Sequence, residues 1–290
     1  MTVQFFDIPV TADDGHGWNL AAAVPAQPKA ALLWLPAMGV AAKHYRPLAE
    51  ALAAHGIAVF LHEMRGNGSS NLRASRNTDW GYRQILVLDL PASQAAMQRH
   101  CDIPARSIGG HSIGGHSIGG QLATCYLAMK PEDFSRLWLV ASGTPYWHTF
   151  PAPMRHLLPL LYQFAPWLAE QRGALPGRKL GFGGEEARTL MRDWARVGLS
   201  GRYAASGLDI DLESAMAKVE VQAQAILLDR DRFAPTRSTQ ALLEKLPRSQ
   251  SSLTTLDSAA LGASADHFAW MKRPAVVAQA LLQTESQSVT

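Results

Sequence analysis

Residues 107–121 read SIGGHSIGGHSIGGQ and consist of a five-residue unit repeated in tandem. The pattern G-x-S-x-G occurs twice within them, centred on Ser112 and on Ser117. Glycines on both sides of a serine are typical of a sharp turn from a strand into a helix, where larger neighbouring side chains would collide. The segment therefore predicts a strained strand-to-helix turn with one of these two serines at its apex.

Helix propensity favours Ser117 over Ser112 at that turn. A helix that began after Ser112 would contain four glycines in its first turns, and each costs ~1 kcal/mol relative to alanine. A helix that began after Ser117 contains only Gly119 and Gly120 there, and residues 121–129 continue it well. The spare five residues then lengthen the approach to the strand, where an insertion costs little. Ser117 is the preferred residue and Ser112 the alternative.

The rest of the chain predicts an α/β fold, because short apolar runs alternate with amphipathic stretches. The predicted strands are residues 30–35, 57–61, 136–141, 223–228 and 252–256. The predicted helices are residues 45–55, 79–100, 121–129 and 236–246, and a last helix follows His267. We expect a kink or break at Pro91 in the second of these helices. Between residues 145 and 205 this rhythm stops, and Pro, Trp, Leu and Arg become frequent. We expect a core built from residues 1–144 and 206–290, with a mostly parallel sheet flanked by helices, and a helical lid formed by residues 145–205.

Composition narrows the class of protein. A 290-residue chain that is 47% hydrophobic and 18% charged can bury a large core. Its net charge is only +3, and its basic residues form no dense block, so the sequence argues against nucleic-acid binding. The N-terminus does not resemble a signal peptide, and Cys101 and Cys125 lie outside any CxxC spacing, so we expect reduced thiols and a cytoplasmic location. Four prolines interrupt the most apolar stretch, residues 150–169, which therefore does not predict a membrane span.

Two further residues complete a constellation for nucleophilic catalysis. A serine hydroxyl attacks only when a histidine accepts its proton and a carboxylate orients that histidine. Asp231 follows a predicted strand, at the sheet edge where open α/β sheets place their sites, and it is preferred to Asp229, which lies nearer the strand end. His267 stands before the last predicted helix, and Asp266 is expected to be a helix-capping or a solvated carboxylate. The order Ser, Asp, His matches the order of this triad in such folds.

Acyl transfer also requires backbone N–H groups for the developing oxyanion. The residue after the serine, Ile118, would supply one donor, and Met38, in the turn after the strand 30–35, would supply the second. The chain contains no H-E-x-x-H motif and no Cys/His cluster, so we expect neither a metal nor an organic cofactor.

These motifs together resemble the α/β-hydrolase superfamily and, within it, the hydrolases related to serine aminopeptidase and monoglyceride lipase. The residues that carry the resemblance, which spans nearly the whole chain, are 36–39, 65–70, 115–120, Asp231 with Pro235, and 266–268. Pro36 and Ala37 stand where that family has His-Gly, and Glu63 stands where Asp is common. The resemblance implies that the serine attacks, the histidine moves the proton, the acid orients the histidine and a helical cap shapes the substrate pocket.

The function expected from these residues is hydrolysis of a small-molecule carboxylic ester through an acyl-enzyme. The Leu, Phe and Trp residues between 150 and 170 predict an apolar pocket and an apolar acyl group. One alternative is a peptidase that acts on N-terminal residues, which requires an acidic group for the free amine, and Glu170, Glu185 and Glu186 are the candidates. The other alternative is a catalytically silent binding protein with the same fold. No pattern in the sequence indicates an oligomeric state.

Overall fold

The computed structural model describes residues 2–101, 103, 110–181 and 183–283, and an eight-stranded sheet lies at its centre. The strands of the described residues are β1 (Val3–Thr11), β2 (Gly17–Pro25), β3 (Ala30–Leu35), β4 (Ile57–Leu61), β5 (His111–His116), β6 (Arg136–Val140), β7 (Leu175–Pro176), β8 (Glu185–Glu186), β9 (Gln222–Leu228) and β10 (Gln250–Leu256). The sheet order is β1-β2-β4-β3-β5-β6-β9-β10, and β7 and β8 form a separate pair. The start of the tandem repeat, residues 107–109, lies outside the described residues.

Most of this sheet is parallel, as the alternating pattern predicts. Every pair from β4 across to β10 is parallel, whereas β1 pairs with β2 and β2 pairs with β4 in the antiparallel sense. The prediction of a mostly parallel sheet flanked by helices is confirmed. The antiparallel hairpin β1–β2 was not predicted, and it lies at one edge of the sheet, outside the parallel strands that carry the site.

The central strands are buried on both faces, which explains why they read as continuous apolar runs. All six residues of β3 are buried. Successive side chains of a strand point to opposite faces, so Leu33 and Leu35 join one apolar core, whereas Leu32 and Trp34 join the other. The sheet therefore separates two cores, one on each face.

Helices cover both of these cores. The helices of the described residues are α1 (Arg46–Ala53), α2 (Tyr82–Gln84), α3 (Leu90–His100), α4 (Ile118–Met129), α5 (Met154–Arg172), α6 (Gly177–Leu180), α7 (Arg188–Ser200), α8 (Leu212–Met216), α9 (Thr236–Leu243), α10 (Ser258–Leu261) and α11 (Pro274–Gln283). Leu52 of α1 and Leu281 of α11 pack in one core, and Met97 of α3 and Leu122 of α4 pack in the other. Since α4 begins directly after β5, the packing of this helix fixes the turn between them.

The predicted kink or break at Pro91 coincides with a change of helix type. A π-helical segment, Ile85–Asp89, joins α2 to α3, and Pro91 lies in the first turn of α3. Proline fits the first turn of a helix because the N–H that it lacks has no partner there within an α-helix. The helical run therefore continues from Tyr82 to His100.

Residues 145–205 contain α5, α6 and α7, which agrees with the predicted helical character of this segment. The two-residue strands β7 and β8 also lie in it and pair in the antiparallel sense; strands of this length are too short to show an alternating pattern. Helix α5 continues through Pro159 and Pro166. Several large apolar side chains of α5 are exposed, namely Leu157, Leu160, Leu161, Phe164 and Trp167. Within the described residues, no helix combines the length and the apolar character needed to cross a membrane.

Candidate active site

Ser117 forms the turn between β5 and α4. Its backbone has φ 56° and ψ −124°, a positive φ that residues with a side chain rarely adopt. Two glycines permit the tight packing of this turn: a Cβ at Gly115 would lie 2.4 Å from the carbonyl carbon of Gly119, and a Cβ at Gly119 would lie 2.2 Å from the backbone oxygen of Leu35. The hydroxyl of Ser142 donates a 2.7 Å hydrogen bond to the carbonyl oxygen of Ser117. The turn is thus strained, and the packing of the two glycines and the hydrogen bond from Ser142 hold it in place.

Ser112 lies in a different environment, in the interior of β5. It is opposite Leu32 on one side and Arg136 on the other in the strand register, and only 2% of its surface is exposed. Ser117 is partly exposed at the turn. The two copies of the repeat therefore occupy different structures, and the second copy supplies the strand-to-helix turn.

Asp231 and His267 form a buried hydrogen-bonded pair. The distance between Asp231 Oδ2 and His267 Nδ1 is 2.8 Å, although the two residues are 36 positions apart in the chain. The other carboxylate oxygen, Oδ1, accepts the backbone N–H groups of Phe233 (2.7 Å) and Ala234 (3.0 Å), so the carboxylate is fixed in the loop after β9. With Nδ1–H donating to Asp231, the histidine Nε2 is left as a proton acceptor.

Asp229, the alternative acid, is placed differently. Its side chain is exposed, and its backbone N–H donates to the carbonyl oxygen of Leu256 as an extension of the pairing between β9 and β10. Asp266 accepts the N–H groups of Phe268 (3.1 Å) and Ala269 (2.8 Å) at the start of the 3₁₀ helix Ala269–Lys272. Asp266 thus binds two backbone N–H groups just before this short helix, whereas the last helix, α11, begins at Pro274.

The ring of His116 connects the Asp231–His267 pair to the serine turn. His116 immediately precedes Ser117, and its ring centroid lies 4.8 Å from that of His267. Both histidines are buried. The structure thus brings three residues that are far apart in the sequence, 117, 231 and 267, to the same end of the sheet.

Met38 and Ile118, the two predicted oxyanion donors, line one small cavity. Neither backbone N–H donates a hydrogen bond to another of the described residues. Ile118 is the first residue of α4, where backbone N–H groups lack partners within the helix. The N–H of Val40 donates to the carbonyl of Ala37 and closes the turn that presents Met38. Two residues whose backbone N–H groups have no partner among the described residues therefore line this cavity.

The cavity is narrow and contains one buried carboxyl group. The space open to the centre of a water molecule is about 10 Å³, about what one water requires. Its lining residues are Met38, Met64, Arg65, Asn67, Trp80, Ile85, Ile118, Glu186 and Leu190. Glu186 Oε1 accepts the N–H of Gly184 at 2.7 Å. Burial raises the pKa of Glu186 to about 7, and the hydrogen bond from Gly184 opposes that rise in part.

Two phenylalanines lie on the solvent side of His267. The rings of Phe233 and Phe268 have centroids 5.1 Å and 4.8 Å from the imidazole, and the two side chains are about half exposed. The apolar side chains of residues 150–170 are absent from the lining of the cavity, and on α5 many of them face solvent. The apolar surface beside the candidate site thus comes from the loops that hold Asp231 and His267.

The sequence analysis assigned no role in the site to Tyr45, Phe233 or Phe268, and it left Glu186 without a position. Phe233 and Phe268 each stand within two residues of a predicted site residue, so their place in the sequence was a usable signal. Among the described residues, no group of three or more His, Cys, Asp or Glu side chains could hold a metal ion.

Comparison with known proteins agrees with this architecture. The family model described as serine aminopeptidase, S33, matches residues 26–260, whereas no curated protein matches the chain. Similar solved structures include DcsB in complex with its substrate analogue (12% identity over 99% of this chain and 100% of that chain, TM-score 0.65) and the malate-bound thermophilic esterase from Thermogutta terrifontis (14%, 99% and 100%, 0.64). A third is the esterase domain of a Rhodothermus marinus protein (16%, 98% of each chain, 0.62).

At these identities the solved structures establish the fold alone. The family match covers most of the chain, and it agrees with the resemblance seen in the motifs around residues 36–39, 115–120 and 266–268. The chain therefore belongs to the serine aminopeptidase, S33, family of hydrolases, within the α/β-hydrolase superfamily.

Proposed function

We propose that this hydrolase cleaves small carboxylic esters through an acyl-enzyme, with Ser117 as the nucleophile, His267 as the general base and Asp231 as the residue that orients His267. The observation that carries this proposal is the buried 2.8 Å hydrogen bond between Asp231 and His267, located beside a strained serine turn. A serine in such a turn presents its hydroxyl outward at the end of the sheet.

The proposed reaction has two halves. Ser117 Oγ attacks the ester carbonyl while His267 Nε2 takes its proton, and the N–H groups of Met38 and Ile118 stabilise the oxyanion. The histidine then gives that proton to the departing alkoxide, which leaves as the alcohol. Water attacks the acyl-enzyme in the second half, with His267 again taking a proton, and the carboxylic acid leaves as Ser117 regains its hydrogen. Asp231 orients His267 and stabilises the imidazolium in both halves.

The surroundings of His267 support an apolar substrate. Phe233 and Phe268 expose large apolar surfaces next to the imidazole, and burying aromatic surface stabilises a bound apolar group. The cavity behind the two candidate oxyanion donors is narrow. We therefore propose that the acyl group is small and that an apolar group of the substrate packs against the two phenylalanines.

The lid is also part of the proposal, with residues 145–205 inserted between core segments 1–144 and 206–290. Glu186 and Leu190 of that segment line the cavity, and a Cβ at Gly39 would lie 2.3 Å from the carbonyl carbon of Gly183. This close backbone contact with the turn that presents Met38 supports the proposal. We propose a cytoplasmic location as well, supported by the positions of Cys101 and Cys125 in the sequence, which lie outside any CxxC spacing.

Hydrolysis of p-nitrophenyl acetate and p-nitrophenyl butyrate tests the proposal. The wild-type protein should turn over both esters, and S117A should reduce turnover to the buffer background, because no other hydroxyl occupies the turn. S112A is the matched control and should retain activity within about twofold, since it changes one small buried side chain of β5. Full activity of S117A would overturn the assignment, and an inactive wild-type protein would favour the silent binding protein.

A second candidate function, release of an N-terminal amino acid, is favoured by one observation. Glu186, one of the three acidic residues considered for amine recognition, lines the same cavity as Met38 and Ile118, whereas Glu170 is paired with Arg192 at 2.7 Å on the surface. An ionised carboxyl there could bind the ammonium group of an aminoacyl substrate. Turnover of aminoacyl p-nitroanilides, lost in E186Q, would support this function, and turnover of nitrophenyl esters alone would exclude it.

A further inference from the structure

The hydroxyl group of Tyr45 bridges the two segments that contain the proposed oxyanion donors. Tyr45 ends the 3₁₀ helix Ala42–Tyr45, and its side chain is buried. Its Oη accepts the backbone N–H of Ala37 at 3.0 Å and lies 2.8 Å from Nδ1 of His116. Ala37 immediately precedes Met38, and His116 immediately precedes Ser117. One oxygen atom thus joins the oxyanion turn to the serine turn.

One arrangement of protons satisfies both contacts of the Tyr45 oxygen. A backbone N–H can only donate, so Ala37 donates to Tyr45, and in the His116 tautomer whose Nδ1 carries no proton the hydroxyl donates to that nitrogen. Burial raises the pKa of Tyr45 far above its ordinary value, which keeps that proton on the oxygen. Burial, together with the nearby His267, lowers the pKa of His116 well below its ordinary value, so its ring stays neutral. The bridge therefore runs from Ala37 N–H through Tyr45 O–H to His116.

Aromatic rings enclose His116 on the remaining sides. Its ring centroid lies 4.8 Å from that of His267, 5.3 Å from Trp270 and 5.7 Å from Phe268. The Tyr45 ring contacts Trp270 as well, at 6.3 Å. Any displacement of His116 would therefore disturb the packing of His267 and change the position of the serine turn.

We propose that Tyr45 and His116 are positioning residues that fix the distance between the two oxyanion donors and the attacking hydroxyl. This inference rests on the ester-hydrolase function proposed above. Neither residue takes part in the bond changes; their shared hydrogen bond holds Met38 and Ser117 in the relative position that the tetrahedral intermediate requires. Displacements of about 1 Å at such sites can cost ~100-fold in rate, so a single bond that limits this displacement has a measurable kinetic effect.

Steady-state hydrolysis of p-nitrophenyl butyrate by Y45F, H116F and the double variant Y45F/H116F tests the inference. Each single variant keeps an aromatic ring and removes the bond, so kcat should fall about 10-fold in each while KM changes less than about twofold. The double variant should lose no more than about 10-fold, because Y45F already removes the bond to His116 together with the bond from Ala37. Two independent losses would multiply to about 100-fold.

Two further measurements separate a positioning role from a general effect on the fold. H116N should recover most of the activity that H116F loses, because an asparagine amide oxygen can take the place of Nδ1 and accept the Tyr45 proton. The inhibition constant of phenylboronic acid, which forms a tetrahedral adduct on the serine, should rise in Y45F by the same factor as kcat/KM falls. Y126F is the matched control: it removes the buried hydroxyl that donates to Gln94, away from the site, and should leave kcat unchanged.

Unchanged kcat in Y45F, or multiplicative losses in the double variant, would overturn the inference while leaving the proposed function intact. A wild-type protein that neither hydrolyses the ester nor binds the boronate would overturn the proposed function and this inference with it. Tyr45 and His116 probe the same bond from its two ends, so if one variant fails to fold, the other still decides the question.

Discussion

Ser117 has a backbone conformation that costs on the order of 1–3 kcal/mol and persists only when its surroundings enforce it. The surroundings here are the packing of Gly119 on the Leu35 carbonyl and the hydrogen bond from Ser142. The sequence alone favoured Ser117 over Ser112, because glycines damage the helix that would follow Ser112. The structure has Ser117 at the turn and Ser112 in β5, and the catalytic role of Ser117 stays a prediction.

At the same scale, D231N should lower kcat for nitrophenyl esters by about 10³–10⁴-fold. The asparagine keeps an oxygen for the N–H groups of Phe233 and Ala234, so the loop after β9 stays folded. Its amide NH₂ would then face His267 Nδ1 and force the proton onto Nε2, which could no longer accept the serine proton. Stopped-flow or steady-state assays measure the loss.

D229N is the control for this prediction, because the side chain of Asp229 is exposed and its backbone N–H donates to the carbonyl oxygen of Leu256. It should retain wild-type kcat. A large loss in D229N together with normal activity in D231N would exchange the roles of the two acids and contradict the geometry described above.

At the scale of the elements, apolar periodicity predicted the parallel strands and the helices that follow them. Strands β3 and β4 have the predicted bounds, since strands buried on both faces must be apolar throughout. The sequence analysis did not predict the hairpin β1–β2. Strand β1 lies at the edge of the sheet and exposes several of its residues, so it lacks the continuous apolar run of a central strand. The contact of Tyr45 with Ala37 and His116 was also missed, because pairing between distant residues leaves no local pattern.

The close contact between α4 and the end of β3 predicts the effect of adding a methyl group at Gly119. G119A should destabilise the protein by about 1–3 kcal/mol, because a Cβ there would lie 2.2 Å from the Leu35 oxygen and 2.5 Å from the Pro36 oxygen. It should also lower kcat, since the displaced backbone leads directly to Met38. Urea unfolding and ester assays on the same samples measure both effects.

G17A is the matched control for the added methyl group. A Cβ at Gly17 would meet Asn71 Nδ2 at 3.5 Å, an ordinary contact, and Gly17 has no positive φ. We expect stability equal to wild type or higher by less than about 1 kcal/mol. Equal unfolding midpoints for G119A and G17A would show that α4 does not pack on β3 as described.

At the scale of the whole molecule, the site combines side chains from three distant parts of the chain. Met38 follows β3, Ile118 begins α4 and Glu186 belongs to the segment 145–205, and all three line one cavity. Sequence patterns identified Met38 and Ile118 through their places after a strand and after the serine. Nothing local distinguished Glu186 from Glu185, because the burial of Glu186 depends on how the whole segment packs on the core.

Burial of Glu186 makes the stability of the molecule depend on pH. The pKa of Glu186 rises from an ordinary 4.5 to about 7 in the folded protein, so between these values the folded state binds one more proton than the unfolded state. The free energy of unfolding therefore falls as pH rises, by up to ~1.4 kcal/mol per unit. A glutamine does not titrate, so the free energy of unfolding of E186Q does not fall in this way. The difference in unfolding free energy between E186Q and wild type should therefore grow by roughly 2–3 kcal/mol in favour of E186Q from pH 5 to pH 8.

Urea unfolding at pH 5, 6, 7 and 8 measures this gain. E185Q is the control, because Glu185 is exposed and adjacent in the chain. Its charge contributes less than burial to the raised pKa of Glu186, so the stability of E185Q relative to wild type should change much less with pH than that of E186Q. A difference between wild type and E186Q that does not change with pH would mean that Glu186 is not buried in the folded molecule.

The central claim, that the second copy of the repeat supplies the nucleophile, is tested most directly by labelling the wild-type protein with a fluorophosphonate and locating the adduct by tandem mass spectrometry. Fragment ions produced by backbone cleavage between residues 112 and 117 identify the modified serine, although the sequences around the two serines are identical. The account predicts a single adduct on Ser117 and none in H267A, which lacks the base. An adduct on Ser112, or an active protein that is not labelled, would contradict it.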